Sequence, residues 1–578
     1  MTFLFHSVTI TTILHTKAKV QMKVKGAKII VDCLIEQGVE YAFGYPGGTI
    51  LDIFDELYKA SDKIMQVLTS HEQGACHAAD GYARVSGKVG VVIATSGPGA
   101  TNLVTGIANA YMDSVPLVAI TGNVPVPLLG RDSFQEVDIA GITMPITKHN
   151  YIVKDVTQLA DTLREAFLIA KSGRPGPVLV DVPKNVQQEL CEFSQKKPAV
   201  PKFSFPNQDK NIKTAVALLE KSERPLLYIG GGVILSEASK ELIAFAEKLQ
   251  IPVASSMMGL GAIPYIHPLF LGMIGMHGHA GVAKAVKECD SLIVVGARFS
   301  DRVATNRLGF CSTKQILHID ADAAEIDKNV CTNAHILGDA KNVLTTLAAK
   351  LAAKKRDNWV KACKESVEAF PFKSTGESLC ARKVLEAIRK LTPPEQVVAT
   401  DVGQHQMWTA QSFGFVKPRT FVTSGGLGTM GYGFGAAMGA AFASKKNVVM
   451  ITGDGSFHMN LNEMATAVKY NLPVKIFILN NNVLGMVRQW QNLFYEKRFS
   501  STTLNLHTDY LKLAEAFGAK GFEIHGTKDI EKTVEAALKE KGPVIVNCKI
   551  CSDAFVLPMV PAGKTMDDMI TELPKEGK

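Results

Sequence analysis

The sequence predicts an α/β protein built from three doubly wound parallel-sheet domains, and three observations carry that expectation. Its 578 residues exceed what one hydrophobic core organises and point to roughly three or four domains. Helical stretches alternate with short β-rich runs from Gly26 onward, the pattern of parallel sheets covered by helices. Two of those runs, Pro225–Ile229 and Asn447–Thr452, end in glycine turns, Gly230-Gly231-Gly232 and Gly453-Asp454-Gly455.

Taken in order, the opening Met1–Thr16 stretch leans apolar, but positive charge follows it instead of preceding it, and no small-residue cleavage site stands before Lys17. A secretory signal is therefore not expected. Residues 1–21 read as a disordered extension or a mis-assigned start, because a domain-like pattern begins at Met22-Lys-Val-Lys-Gly-Ala. The first domain is expected over 22–188, with strands at Val89–Thr95, Leu117–Thr121 and Val178–Val182. The polar, Pro- and Lys-rich stretch 189–210 reads as a linker. A central domain over 211–350 has strands at Pro225–Ile229, Ser291–Gly296 and Gln315–Asp320. A Lys/Ala-rich helical stretch, Asn342–Phe370, runs through a second linker, 351–377. The third domain, 378–551, has strands at Gln396–Thr400, Asn447–Thr452, Val474–Leu479 and Pro543–Val546, and a tail follows over 552–578. The sequence alone does not relate the first domain to the third.

Composition excludes several classes. Apolar residues make up 46% and charged residues 20%, ordinary for a globular chain. The net charge of +8 is spread along the length with no dense basic block, so nucleic acid is not an expected partner; a mildly basic surface suits anionic metabolites. No apolar run is long enough to span a membrane. The ten cysteines follow no framework of spacings. Cys548 and Cys551 form a C-x-x-C inside what reads as a strand, which favours packing over redox or zinc chemistry. Reduced cysteines fit a cytoplasmic location.

The strongest chemical signal lies in the third domain. A buried strand ends in Gly453-Asp454-Gly455-Ser456, and the next one ends in Asn480-Asn481. Ligands of open α/β sheets bind at the carboxyl ends of strands, and flanking glycines let backbone approach a phosphate. Magnesium takes about six oxygens, usually from one or two protein carboxylates plus substrate phosphates. Asp454 and Asn481 would contribute two of them. Gly-Asp-Gly alone reads more readily as a turn; the Asn-Asn at the neighbouring strand end tips the balance toward a magnesium-diphosphate anchor. The spacing resembles the thiamine diphosphate-binding signature, and that resemblance implies a backbone oxygen from Val483.

Thiamine diphosphate needs a carboxylic acid in a water-poor cleft to protonate its pyrimidine. Glu72, in Ser70-His-Glu-Gln-Gly74, follows a strand and opens a small-residue helix. A Glu in a first helical turn is also a common capping residue. Around it stand Tyr45-Pro-Gly-Gly48, Gly81-Tyr-Ala-Arg84 and Thr95-Ser-Gly-Pro-Gly99 with Thr101-Asn102. Further along come Phe134-Gln-Glu136, Thr147-Lys-His-Asn150, Gly173-Arg-Pro-Gly-Pro-Val178, Asp181-Val-Pro-Lys184, Thr423-Ser-Gly-Gly-Leu-Gly428 and Leu484-Gly-Met-Val-Arg-Gln-Trp490. Together these resemble the catalytic (large) subunits of the acetolactate synthase family over nearly the whole chain from Met22.

The resemblance implies a pyrimidine-binding first domain, a flavin-binding central domain, a diphosphate- and magnesium-binding third domain, and a tail near the active site. It implies Glu72 as the activating acid and a site completed across a homodimer or homotetramer. Gly403, Gln404, His405, Gly428, Gly453, Gly455 and Ser456 match thiamine diphosphate positions, and Met430 matches the apolar residue that holds the cofactor bent. Gly48 and Gln135 match residues near the reacting atoms; Phe134, Lys184, Met486, Val487, Arg488 and Trp490 match a substrate channel. Core packing for Trp490 and a solvated surface for Arg488 remain open alternatives. The resemblance implies that Trp490 favours 2-ketobutyrate over pyruvate as acceptor; an extra methyl against an indole is worth about 1–3 kcal/mol, a preference that excludes neither.

Gly230, Gly231 and Gly232 are a weak signal alone. With Arg174, His277, Arg298 and Asp320 they match the flavin adenine dinucleotide (FAD) site of the biosynthetic members. Ser300 and Asn123 depart from the commonest family pattern, as Ala562 does at a position that varies; Ser300 weakens the flavin match. The activity implied is decarboxylation of pyruvate and its condensation with a second 2-keto acid, giving 2-acetolactate or 2-aceto-2-hydroxybutyrate for branched-chain amino acid synthesis, with a small regulatory subunit as partner. A flavin-free catabolic acetolactate synthase and a flavin-dependent pyruvate oxidase are the alternatives.

Overall fold

Three six-stranded sheets, each parallel throughout, organise the chain. The computed structural model describes residues 22–201, 205–311, 313–372 and 379–572; the expected extension over 1–21 lies outside the described residues. The first sheet runs Met65–Leu68, Tyr41–Tyr45, Gly90–Ala94, Leu117–Asn123, Pro177–Pro183, His149–Ile152. The third runs Phe421–Val422, Val397–Thr400, Val448–Gly453, Val474–Asn480, Val544–Lys549, Lys520–Ile524. Numbered in chain order, both are 2-1-3-4-6-5, so the two outer blocks share one topology that the sequence did not reveal.

The central sheet differs. Its order is Phe270–Met273, Val253–Ser255, Pro225–Ile229, Ser291–Val295, Gln315–Asp320, Ala334–Leu337. In chain order this is 3-2-1-4-5-6, the doubly wound arrangement whose crevice takes a dinucleotide where the order reverses. That reversal lies between Pro225–Ile229 and Ser291–Val295. Both faces of every sheet are buried, which explains the continuous apolar runs. Val91 and Ile93 join one core while Val92 and Ala94 join another; Val449 and Ile451 part from Val448 and Met450 in the same way.

The outer blocks dock through two small-residue helices, Glu72–Ser86 and Tyr432–Ser444. A Cβ on Gly439 would meet the Ala78 carbonyl oxygen at 1.8 Å, and one on Gly81 would meet the Ala436 carbonyl oxygen at 2.2 Å. Only glycine lets these backbones touch.

Two linker expectations need correction. Within 189–210, Leu190–Phe193 pairs antiparallel with Met22–Lys25, which ties the start of the first block to its end. Within 351–377, Asp357–Glu368 is a helix that buries Trp359 and Cys363 in a core with central-block residues. The helical character was expected, but not the packing, because only a few side chains of a Lys-rich amphipathic helix face inward. The Cys548 side chain is buried in its strand and Cys551 is exposed, both unpaired. No helix among the described residues is long and apolar enough to cross a membrane.

Candidate active site

Two separate clusters hold most of the residues expected to bind thiamine diphosphate and substrate. One is a cavity at the carboxyl ends of Val397–Thr400, Val448–Gly453 and Val474–Asn480, at the switch point of the third sheet, where a ligand crevice is expected. Gly403, Gln404, His405, Met430, Gly453, Asp454, Gly455, Ser456, Asn481, Val483, Met486 and Val487 line it, together with Trp408 and Leu484. The residues from 453 to 456 turn from strand into a short helix that begins at Asp454.

The Asp454 carboxylate is buried, and its Oδ2 has no hydrogen-bond partner. Burial pushes its pKa up to about 6, against the pull of nearby backbone amides. An orphaned carboxylate oxygen beside the Asn481 amide oxygen, itself bound only by the Val483 N–H at 3.2 Å, is an all-oxygen donor set of the kind magnesium takes. His405 Nε2 is also buried without a partner, and burial pulls that imidazole down to about 3. The ring therefore lines the cavity uncharged. Gln404 joins the walls: its Oε1 accepts from Asn481 at 3.3 Å, and its Nε2 donates to the Ala554 carbonyl of the tail at 2.7 Å.

The second cluster belongs to the first block, around Thr95–Gly99. Glu72 is 9% exposed and its Oε2 accepts from Asn102 Nδ2 at 2.9 Å. The helix it opens is capped by His71, whose Nδ1 accepts from Gln73 N, so the Glu72 carboxyl is not spent on capping. Glu463 of the third block reaches across to accept from the Ser70 and His71 amides and fixes the approach to Glu72. Gln135 packs against Gly97 and adopts φ +58°, an uncommon backbone region for a non-glycine residue. The Gly48 carbonyl accepts from Lys184 Nζ at 3.0 Å. Phe134 is 88% exposed. Within one chain, no described first-block residue lines the cavity that holds Asp454.

The remaining predicted residues fall outside both clusters. Arg488 pairs with Asp553 at 3.2 Å and lies over the Phe499 ring, so it is neither freely solvated nor turned into the cavity. Trp490 is half-buried, edge-on to Phe494 at 5.8 Å, and is not among the cavity-lining residues. Gly428 is an exposed turn residue at φ +70°.

In the central block, the Gly230–Gly232 turn sits at the order reversal. A Cβ on Gly230 would meet the Gly296 carbonyl oxygen at 2.4 Å, and one on Gly232 the Gly296 Cα at 2.6 Å, so backbone packing also requires these glycines. Asp320 ends its strand and accepts from the Asp322 amide. Arg298 follows the neighbouring strand, its carbonyl accepting from Tyr228. His277 is buried against the Pro558 carbonyl at 3.4 Å. Arg174 pairs with Asp322 and Glu325 and donates to Ser114, and thus links the first block to the central one.

Sequence reasoning missed Asp401, Trp408 and Glu463. Asp401 had a local signal, being the first residue after its strand and just ahead of Gly403-Gln-His405. Glu463 had none, because its partners are almost four hundred positions away.

Family models agree with this layout. Residues 24–142 match the N-terminal thiamine pyrophosphate (TPP) binding domain of thiamine pyrophosphate enzymes, 212–347 their central domain, and 401–548 their C-terminal TPP binding domain. The chain is 42% identical over 569 residues to the acetolactate synthase large subunit of Haemophilus influenzae, covering 96% of this chain and 99% of that one. It is 45% identical over 568 residues to that of Corynebacterium glutamicum, covering 95% and 90%. The isozyme 2 large subunit of Escherichia coli is 42% identical over 552 residues, covering 95% and 100%. With strand order, cavity and sequence in agreement over nearly its full length, the chain belongs to the acetolactate synthase large-subunit family of thiamine pyrophosphate enzymes.

Proposed function

We propose that the chain is the catalytic subunit of a biosynthetic acetolactate synthase. It takes one pyruvate, breaks the bond to its carboxyl group with release of carbon dioxide, and joins the two-carbon remainder to the carbonyl carbon of a second 2-keto acid. The observation that carries this reading is the buried Asp454 carboxylate at the switch point of the third sheet, whose Oδ2 has no partner, with Asn481 in the same cavity lining. It fits a magnesium-bound diphosphate. Thiamine diphosphate supplies, when bound, the nucleophilic carbon and the electron sink for decarboxylation.

The chain's own residues supply the rest. Asp454, Asn481 and the Val483 backbone hold the metal; Gly403, Gln404, His405, Gly428, Met430, Gly453, Gly455 and Ser456 seat the cofactor. Glu72 Oε2 is held by Asn102, which leaves Oε1 to exchange a proton in a cleft with little water. Gly48, Gln135, Phe134 and Lys184 would face the substrate from the same side and Met486 and Val487 from the other, with Arg488 and Trp490 on the same helix as the outer part of the channel, held by Asp553 and Phe494. Because the two clusters are apart within one chain, the reading calls for a second copy that brings its first-block cluster to this cavity. The 3-2-1-4-5-6 order of the central sheet favours a dinucleotide there, which we infer to be FAD held by the Gly230–Gly232 turn, Arg174, His277, Arg298 and Asp320. The large-subunit names of the relatives support a small regulatory partner, and the reading puts the enzyme in the cytoplasm.

Product analysis tests this, with pyruvate alone and with pyruvate plus 2-ketobutyrate, each with and without added flavin. Acetolactate and acetohydroxybutyrate are the expected products. Quinone reduction without either product would make the chain a pyruvate oxidase; full activity in colourless protein would remove the flavin.

A further inference from the structure

The loop from Ser424 to Gly431 carries Gly428 and Met430, yet two of its glycines, Gly425 and Gly426, touch nothing in the cavity. Their partner is Asp113, at the end of the first-block helix Val104–Met112. Asp113 Oδ2 accepts from the Gly425 amide at 2.9 Å and Oδ1 from the Gly426 amide at 2.7 Å. Two successive N–H groups on one carboxylate form an anion nest. The side chain of Asp113 is fully buried, and its Oδ2 also accepts from Arg84 at 2.9 Å.

The glycines are what make this contact possible. A Cβ on Gly426 would meet Asp113 Oδ1 at 2.9 Å and Met112 Cβ at 3.0 Å, while one on Gly425 would meet Met258 Sδ at 2.2 Å. Asn109, one turn earlier on the same helix, accepts from Ser424 Oγ and Thr429 Oγ1. At the far end of the loop Asp401 Oδ1 accepts from the Gly431 amide at 2.7 Å. The loop is therefore gripped by its own block at one end and by the first block at the other. Ser114, the next residue, accepts from Arg174 Nε at 2.8 Å, and Arg174 pairs with Asp322 and Glu325 of the central block.

We propose that Asp113 is a positioning residue for the cofactor: its carboxylate, presented by the first block, sets the Ser424–Gly431 loop so that Gly428 and Met430 stand where thiamine diphosphate is held. This rests on the thiamine diphosphate reading of the cavity. Asp113 itself touches no cofactor or substrate.

The test is direct binding of thiamine diphosphate at fixed magnesium, followed through tryptophan fluorescence, because Trp408 lines the cavity. Thermal midpoints are measured in parallel. Asp113→Asn keeps the shape but turns an N–H₂ toward one glycine amide, losing a charge-assisted bond. Gly426→Ala pushes the same contact apart and leaves Arg84 paired. Both are expected to weaken binding about tenfold or more, the size of a hydrogen bond to a charged group. Arg84→Lys, which replaces the guanidinium that bridges Asp80 and Asp113 by a single ammonium and leaves both glycine amides on Asp113, is expected to lower the thermal midpoint and leave binding unchanged.

If Asp113→Asn does not fold, Gly426→Ala decides. Parental affinity in Gly426→Ala, or affinity falling in step with thermal midpoint across all three variants, overturns the proposal. Parental protein that binds no thiamine diphosphate overturns the reading of the cavity instead, so the two failures are distinguishable.

Discussion

Replacing Glu72 by glutamine separates chemistry from folding at this site. The helix beginning at Glu72 is capped by His71 Nδ1 on Gln73 N, so the substitution takes no cap away. The amide side chain keeps a carbonyl oxygen for Asn102 Nδ2, and the exchange of a charged acceptor for a neutral one costs about 1 kcal/mol. The Ser70 and His71 amides remain on Glu463. The fold is thus expected to survive with a small change in thermal midpoint. An amide cannot give up or return a proton, and loss of a positioned acid–base group costs about 100- to 10,000-fold in rate. The assay is single-turnover pyruvate decarboxylation at saturating thiamine diphosphate and magnesium, with cofactor binding measured separately. A folded, cofactor-loaded Glu72→Gln variant that turns over within about tenfold of the parent refutes the assignment.

Four further outcomes follow from the same geometry. Asp454→Asn removes the buried carboxylate whose Oδ2 has no protein partner; magnesium-dependent thiamine diphosphate binding is expected to fall by about tenfold or more, while thermal stability of the cofactor-free protein rises or holds, measured by titration and melting. Glu463→Gln leaves one of two amides on the Glu72 approach unpaired, and a loss of about 1–3 kcal/mol in stability is expected by denaturant titration, with turnover lowered as well. Trp490→Leu is expected to lower the preference for 2-ketobutyrate over pyruvate by about tenfold or more in product ratio; an unchanged ratio places the selectivity elsewhere. The fourth concerns pH: burial pushes Asp181 up to about 7, against hydrogen bonds from Asn123 and Thr121. A raised carboxyl gives stability below its unfolded pKa of about 4 that is lost as pH climbs to the folded value, at about 1.4 kcal/mol per unit at most. Asp181→Asn should therefore gain on the parent in thermal midpoint from about pH 4 up to the folded value and level off above it; a constant difference contradicts the shift.

How much was legible beforehand follows from the range of each interaction. Strand runs such as Gln315–Asp320 matched their observed bounds, because a strand buried on both faces must be apolar throughout. The Gly453-Asp454-Gly455 turn and Asn480-Asn481 were readable as neighbours because adjacent parallel strands present their ends together. Leu190–Phe193 was not readable, since nothing in so short a strand names its partner, Met22–Lys25, at the opposite end of the block.

By itself, then, the sequence determined the class of each block, the family, and the residues we propose for the diphosphate anchor, all of which depend on local pattern and short spacing. Only the tertiary structure decided that the outer sheets share one strand order and that the central one reverses as a dinucleotide fold does. Only it separated the Glu72 cluster from the Asp454 cavity within one chain, and only it brought Asp113 beneath Gly425 and Gly426. Those are contacts between backbone amides, carboxylates and glycines hundreds of residues apart, where the partner is chosen by packing and leaves no periodicity behind.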